Sequence, residues 1–225
     1  DLVGKIDQKV ATARPNTGYG MTETCGIITS IGADQFVDKP ESCGPAMPAF
    51  ETKIVDPDSG EEKPKGAPGE LWVRGGHVIK GYLNRPDATA ESIVDGWLRT
   101  GDMAKEDEHG FLYIVDRIKD MVLRGGENIY CAEVESVVFE HAAVAECTVF
   151  GVPDDRLGEE VGIAIHVNAQ CEVNADELRE HCASKLAKFK IPRYFWFMDQ
   201  ALPRNASGKF LKRELREALD PEHAS

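Results

Sequence analysis

Residues 116–135 read DRIKDMVLRGGENIYCAEVE, and this stretch separates two different patterns of sequence. Before it, short apolar alternations typical of strands stand between clusters of Gly and Pro, and a short helix is predicted after Pro86. After it, strands alternate with helices. Within it, Gly125 and Gly126 predict a hairpin whose turn adopts positive φ. The stretch therefore predicts a boundary between a β-rich unit and a compact α+β unit.

The predicted elements follow from the spacing of apolar residues on each side of this stretch. Strands are predicted at 51–55, 70–73, 111–115, 121–123, 128–130, 147–152, 160–167 and 194–198. Helices are predicted around 134–138, 174–186 and 210–219, and residues 1–10 resemble the end of an amphipathic helix. Asn174 and Glu177 have the spacing of a capping box at a helix start.

Length and composition exclude several classes of protein. The chain has 225 residues, 42% of them hydrophobic, which is enough for one large domain or two small ones. A formal net charge of -13 disfavours binding to nucleic acid. With no apolar run of about 18 residues and no signal-peptide pattern, no transmembrane segment is predicted and the expected location is cytoplasmic. The six Cys and six His lack the spacing of a zinc site.

A basic stretch stands out against this acidic background. Residues 185–216 contain nine Lys or Arg and two acids, Asp199 and Glu214. Such a stretch can bind an anionic small molecule. A solvated helix face followed by a loop would have the same composition, and charge alone favours that simpler interpretation.

Two segments of the first part carry side chains suited to a nucleotide. Residues 18–23 read GYGMTE, in which the glycines permit a tight backbone beside a ligand and Tyr19 offers a stacking surface. Thr22 and Glu23 follow directly and can address a phosphate and its Mg²⁺. Residues 100–102 read TGD, and a carboxylate after a glycine turn can accept hydrogen bonds from two ribose hydroxyls. Ordinary turns have similar sequences.

Two further segments suggest a hinge between the units and a lysine that can approach a phosphoryl group. Charges alternate over residues 116–120 at the predicted boundary, as in a hinge or a solvated linker. Residues 203–209 read PRNASGK and put Lys209 on a flexible loop before a helix, without the spacing of a Walker A loop. A lysine there can offset charge on a phosphoryl transition state, although most loop lysines are only solvated.

Together, the four segments, in this order and at these separations, resemble the adenylate-forming superfamily. It comprises acyl-CoA synthetases, aryl-CoA ligases, peptide-synthetase adenylation domains and firefly luciferase. The resemblance covers nearly the whole chain, including GELWVRG at 69–75, and RGGENIY at 124–130 is closest to bacterial fatty-acyl-CoA ligases. It implies an α/β to α+β fold: residues 1–116 as the β-barrel-like C-terminal part of the large domain, and 117–225 as a small mobile α+β lid with a hinge near 117–120.

The same resemblance implies an activity. Such an acid–thiol ligase activates a carboxylic acid, here expected to be a fatty acid, with ATP and Mg²⁺ to an acyl-adenylate and transfers the acyl group to coenzyme A. The family's phosphate-binding loop and most of its acyl pocket would lie upstream of Asp1. Residues 1–225 alone are therefore not expected to complete adenylation without the N-terminal part of the chain.

The resemblance also implies a role for each motif residue. At the nucleotide we expect Tyr19 to stack on adenine, Gly20 to lie beside the ligand, Thr22 to contact a phosphate and Glu23 to hold Mg²⁺. Asp102, assisted by Arg117, would hold the ribose hydroxyls. Lys119 would lie at the hinge, and Lys209 would bridge the substrate carboxylate and the α-phosphate. Gly125 and Gly126 would lie beside the pantetheine of coenzyme A after the lid rotates.

Two alternatives to a coenzyme A ligase remain. An adenylation domain that loads a carrier-protein thiol would share the same motifs, although the sequence at 124–130 favours coenzyme A. A non-catalytic module could keep the fold, but a purely structural role does not require Glu23, Asp102, Arg117 and Lys209 together.

Overall fold

The structure is a computed structural model that describes residues 15–206 and 208–225, except for the side chain of Ala33. The chain divides into two compact units, with the boundary between Ile118 and Lys119. The helix end predicted at residues 1–10 lies outside the described residues. Among the residues that are described, no helix is long and apolar enough to cross a membrane.

The first unit is built mainly of strands. In chain order its elements are β1 (Asn16–Met21), β2 (Gly26–Gly32), α1 (Ala33–Asp38), β3 (Phe50–Val55), β4 (Gly69–Gly75), α2 (Pro86–Ser92), β5 (Ile93–Val94), β6 (Trp97–Glu106) and β7 (Leu112–Arg117). A 3₁₀ helix, Thr22–Thr24, connects β1 to β2. The strands predicted at 51–55, 70–73 and 111–115 are confirmed as β3, β4 and β7, and the helix predicted after Pro86 is confirmed as α2.

Two antiparallel sheets make up this unit. Strands β1 and β2 form a two-stranded ribbon, whereas β3, β4 and β6 form a sheet in which β5 and β7 both pair with β6. The core is formed by Ile28, Ile54, Leu71, Val73, Ala104 and Leu112. Strands β1, β2 and β6 were not predicted, because glycines and polar residues interrupt their apolar alternation.

The second unit alternates strands and helices. Its elements are β8 (Val122–Arg124), β9 (Glu127–Ile129), α3 (Cys131–Phe139), β10 (Val144–Asp154), β11 (Gly158–Val167), α4 (Ala175–Ala183), β12 (Tyr194–Met198) and α5 (Lys212–Ala218). Two 3₁₀ helices, Lys188–Lys190 and Pro221–His223, lie between or after them. The strands and helices predicted beyond residue 120 are confirmed, with ends that differ by a few residues.

Strand β11 is central to this unit, since it pairs antiparallel with β10 and parallel with β12. Because successive side chains of a strand point to opposite faces, the sheet separates two cores. On one face Val149, Ile163 and Phe195 pack with helices α3 and α4. On the other face Phe150 and Trp196 pack with α5.

Two local predictions for this unit are confirmed. Gly125 and Gly126 form the turn between β8 and β9 with φ of 59° and 89°, a conformation that favours glycine. At the start of α4, the Glu177 amide donates to Asn174 Oδ1 at 3.0 Å, and the Asn174 amide donates to Glu177 Oε2 at 3.1 Å. This capping box fixes the first turn of a helix whose apolar face includes the fully buried Leu178.

The buried leucine of α4 yields a test of this core. We expect Leu178→Ala to lower the free energy of unfolding by about 2–5 kcal/mol, because the side chain leaves a cavity. Leu123→Ala, at a leucine that is 53% exposed in the same unit, should change it by less than about 1 kcal/mol. Urea unfolding measures both, and equal losses would contradict the described packing.

Candidate functional site

The Asp102 carboxylate accepts hydrogen bonds from side chains of two other strands. Tyr19 Oη in β1 donates to Asp102 Oδ2 at 2.5 Å, and Arg117 Nε in β7 donates to Oδ1 at 3.1 Å. Strands β6 and β7 place Asp102 opposite Arg117 in register. Three of the residues predicted at the nucleotide therefore lie together, although β1 is far from β6 and β7 along the chain.

This cluster is half open to solvent. The Asp102 side chain is 7% exposed, whereas that of Arg117 is 59% exposed. Each carboxylate oxygen has two acceptor positions, so Asp102 keeps capacity for donors from a ligand. Burial raises the pKa of Tyr19 far above its ordinary value, and the hydrogen bond to Asp102 and the negative charge of the Asp102 carboxylate act in the same direction. The phenol therefore stays protonated and donates, and Asp102 accepts.

The turn before Asp102 is held by a second buried carboxylate, Glu70 of β4. Glu70 Oε1 accepts the Gly101 amide at 3.1 Å, and Oε2 accepts Trp72 Nε1 at 2.8 Å and Arg99 Nε at 3.1 Å. Gly101 has φ of 72°, a conformation that suits glycine. Sequence reasoning missed Glu70, although an acid inside the otherwise apolar start of GELWVRG was a signal for it.

Thr100 fixes the backbone of the same turn. Its hydroxyl donates to the Leu71 carbonyl at 2.7 Å and accepts the Asp102 amide at 3.1 Å. The TGD motif therefore contributes a hydroxyl that ties β6 to β4, a glycine with positive φ and the carboxylate itself.

The glycines of residues 18–23 are required by the neighbouring strand. A Cβ atom on Gly20 would lie 2.2 Å from the Gly26 carbonyl oxygen, and one on Gly18 would lie 2.7 Å from that of Thr29. The pairing of β1 with β2 is irregular between Tyr19 and Gly20. The close approach seen at these glycines is thus to β2, within the ribbon that carries Tyr19.

Thr22 and Glu23 lie in the 3₁₀ helix after β1. Thr22 is exposed, and Glu23 Oε1 accepts a hydrogen bond from Tyr82 Oη at 2.9 Å. Burial and this hydrogen bond raise the pKa of Tyr82, so the phenol acts as donor. Within residues 15–206 and 208–225, no group of three or more His, Cys, Asp or Glu could hold a metal ion. A single carboxylate such as Glu23 is compatible with Mg²⁺, because this ion commonly keeps water and phosphate oxygens as its other ligands.

Lys209 lies on a closed loop in the second unit. Its amide donates to Asn205 Oδ1 at 2.9 Å, and the Asn205 amide donates to the Lys209 carbonyl at 2.9 Å. The loop ahead of α5, predicted to be flexible, is thus held by its own hydrogen bonds over the described residues. Ser207 of the predicted motif lies outside them.

The basic stretch at 185–216 is largely neutralised by acids. Seven of its nine cations form ion pairs, and in the described part of the chain Lys188 and Lys209 form none. The pairs are Lys185–Glu140, Lys190–Glu133, Arg193–Glu160, Arg204–Glu146, Lys212–Glu135, Arg213–Glu217 and Arg216–Glu159. Lys209 is therefore an exposed cation in a region whose other charges are mostly balanced.

The remaining predicted residues of the second unit are separate from Lys209. Lys119 is exposed directly after the boundary between the units. A Cβ atom on Gly125 would lie 3.1 Å from Leu157 Cδ2, and one on Gly126 would meet no atom within 4 Å. Their roles at the hinge and beside pantetheine remain predictions.

Comparison with known families identifies the chain. Residues 4–83 match the model for an AMP-binding enzyme, and residues 133–209 match the model for the AMP-binding enzyme C-terminal domain. Together these regions take in more than half of the chain. The chain therefore belongs to the AMP-binding enzymes.

Curated relatives extend this similarity over most of the chain. A putative acyl-CoA synthetase of Bacillus subtilis is 47% identical over 201 residues, covering 88% of this chain and 36% of the relative. A 2-succinylbenzoate–CoA ligase of Bacillus cereus is 45% identical over 202 residues, covering 90% of this chain and 41% of the relative. The chain thus spans less than half the length of either relative.

Solved structures have the same fold. The o-succinylbenzoate CoA synthetase of Bacillus subtilis, in complex with its acyl-adenylate intermediate, has a TM-score of 0.87 at 39% identity, covering 97% of this chain and 44% of that one. The same enzyme in complex with ATP and magnesium ion has a TM-score of 0.85 at 40% identity, covering 96% and 43%. The predicted fold class, that of the adenylate-forming enzymes, is confirmed.

The glycine at position 20 provides a test of the ribbon that carries Tyr19. We expect Gly20→Ala to lower the free energy of unfolding of the first unit by about 1–3 kcal/mol, because Cβ would overlap the β2 backbone. Gly76→Ala is the matched control, since a Cβ there meets no atom within 4 Å. If chemical denaturation finds the two variants equally stable, the described pairing of β1 with β2 is wrong.

Proposed function

We propose that this chain is part of an enzyme that activates a carboxylic acid with ATP as an acyl-adenylate and then transfers the acyl group to coenzyme A. The observation that carries the proposal is the convergence of Tyr19, Asp102 and Arg117 from three strands. Membership of the AMP-binding enzymes and similarity to an acyl-CoA synthetase and a CoA ligase support it. Because the chain covers 36% and 41% of those relatives, the activity is proposed for the complete protein that contains it.

In this proposal the first unit holds the nucleotide. Asp102 accepts hydrogen bonds from the ribose hydroxyls, while Tyr19 and Arg117 keep its carboxylate oriented. A carboxylate that is already oriented and shielded needs little rearrangement when the ligand binds. Glu23 holds Mg²⁺, which offsets charge on the phosphates, and Thr22 contacts a phosphate.

The second unit supplies a cation for the first half-reaction. Lys209 brings its ammonium group to the substrate carboxylate and the α-phosphate, where it offsets the charge that develops as the carboxylate attacks. The part of the chain that follows residues 117–120, which include Lys119, acts as a lid that swings about them. After the swing, Gly125 and Gly126 line the path of pantetheine.

Two kinds of carboxylic acid are candidates for the substrate that is activated. The resemblance at 124–130 favours a fatty acid, whereas one relative is named for 2-succinylbenzoate. Release of pyrophosphate from ATP by the complete protein, measured in turn with octanoate, palmitate, benzoate and 2-succinylbenzoate as the acid, separates these possibilities. Comparing free coenzyme A with a pantetheinylated carrier protein as acceptor then tests the thioester step, for which we expect coenzyme A.

The role of Lys209 is testable with a matched lysine. In the complete protein, with the acid it turns over fastest, we expect Lys209→Ala to lower the rate of ATP–pyrophosphate exchange by about a hundredfold or more, because a cation at the α-phosphate is lost. Lys188→Ala removes the other cation of the basic stretch that forms no ion pair among the described residues, and it should leave the rate unchanged. Normal exchange by Lys209→Ala would refute the proposed role.

A further inference from the structure

Glu135 of helix α3 gathers donors from two other elements of the second unit. Its Oε1 atom accepts Thr148 Oγ1 at 3.1 Å and the Val149 amide at 2.8 Å, both in β10. The same oxygen lies 2.9 Å from Lys212 Nζ, in the first residue of α5. One carboxylate therefore joins α3, β10 and the start of α5.

The position of Lys212 is unfavourable without this partner. A positive charge at the first residue of a helix opposes the helix dipole, and the Lys212 side chain is only 20% exposed. Burial by itself would lower the pKa of Lys212, but Cys131, Glu135 and Asp120 outweigh burial and raise it. Lys212 therefore stays charged, and its ion pair with Glu135 anchors the start of α5.

A second anchor lies at the other end of the same loop. Glu146 of β10 accepts the Leu202 amide at 2.8 Å and Arg204 Nη2 at 3.0 Å. Arg204 Nη1 also donates to the Gly208 carbonyl at 2.7 Å, and its guanidinium lies 3.9 Å from the centre of the Phe210 ring. The loop before α5 is thus tied to the sheet at its first residues.

Lys209 lies between these two anchors. The Leu211 amide donates to the Pro203 carbonyl at 2.9 Å and closes the loop, and Lys212 follows directly. The backbone of Lys209 is therefore fixed by contacts on both sides, while its own ammonium group forms no ion pair with any described residue. Loss of either anchor would free the loop without removing Lys209.

We infer that Glu135 and Lys212 are positioning residues for Lys209, and that their ion pair holds the described residues of the loop, 203–206 and 208–211, in the conformation used for adenylate formation. This inference rests on the proposed function of Lys209. The ion pair itself touches neither nucleotide nor acid in the proposal, so its removal acts through the loop. It should affect the half-reaction that uses Lys209 and leave the other half-reaction unchanged.

The test uses Lys212→Met in the complete protein, which keeps the length of the side chain and removes its charge. Arg213→Met is the matched control, because Arg213 forms a surface pair with Glu217 at 3.7 Å and is 86% exposed. We expect the amides of Lys209 and Leu211 to exchange hydrogen about tenfold faster in Lys212→Met. The kcat of ATP–pyrophosphate exchange should fall about tenfold with little change in the KM for ATP.

Two further readouts separate positioning from general destabilisation. Transfer of a supplied acyl-adenylate to coenzyme A should proceed at the normal rate in Lys212→Met, since that step does not use Lys209. Lys212→Arg, which keeps the charge, should restore most of the lost exchange activity. If Lys212→Met fails to fold, Glu135→Gln serves as the second variant. It keeps an oxygen acceptor for Thr148 and Val149 and removes only the negative charge, so we expect the same results.

Unchanged amide exchange and unchanged pyrophosphate exchange in a folded variant would overturn the inference. An equal loss of both half-reactions would also overturn it, because it would show a purely structural role. Lys209→Ala, measured in parallel, separates the two proposals. If Lys209→Ala keeps normal pyrophosphate exchange, the proposed role of Lys209 fails, and the inference about its positioning residues fails with it. If Lys209→Ala is impaired while Lys212→Met is normal, only the inference fails.

Discussion

The buried carboxylate of Asp102 is the constraint on which the first unit depends. Removing a carboxylate from water costs several kcal/mol unless hydrogen-bond donors replace the lost hydration. That cost is about as large as the whole free energy of unfolding of a small domain. Here the donors are a phenol from β1 and a guanidinium from β7, while the Thr100 hydroxyl fixes the backbone amide of Asp102 itself. The ribbon and the larger sheet must therefore pack together for this carboxylate to be satisfied.

In the second unit the important charge is an exposed cation, in contrast to the buried anion of the first unit. Six of the thirteen Lys and Arg side chains of the second unit pair with acids of α3, β10 or β11, which fixes the elements to one another. Lys209 is held through its backbone, with the side chain left available. A rigid loop with an available ammonium group suits delivery of charge to a ligand, because little conformational freedom remains to be lost.

Much of this fold followed from the sequence, and the failures have physical reasons. Regular apolar alternation predicted β3, β4 and β7 correctly. Strand β6 was missed, because Gly101 breaks its pattern at the point where Glu70 holds the turn. Glu135 and Lys212 were missed because their partnership joins elements distant in sequence, and no local spacing signals such a contact. The nucleotide residues were found from the family resemblance of short motifs, whereas the hydrogen bonds among them required the structure.

Recognition of a ribose by Asp102 is the central claim, and deoxynucleotides test it most directly. Calorimetry on the complete protein should show that 2′,3′-dideoxy-AMP binds at least about tenfold more weakly than AMP, since two hydrogen bonds to the carboxylate are lost. In Asp102→Asn, which keeps the size of the side chain, this difference should largely disappear. Equal affinity of the unmodified protein for the two nucleotides would contradict the account.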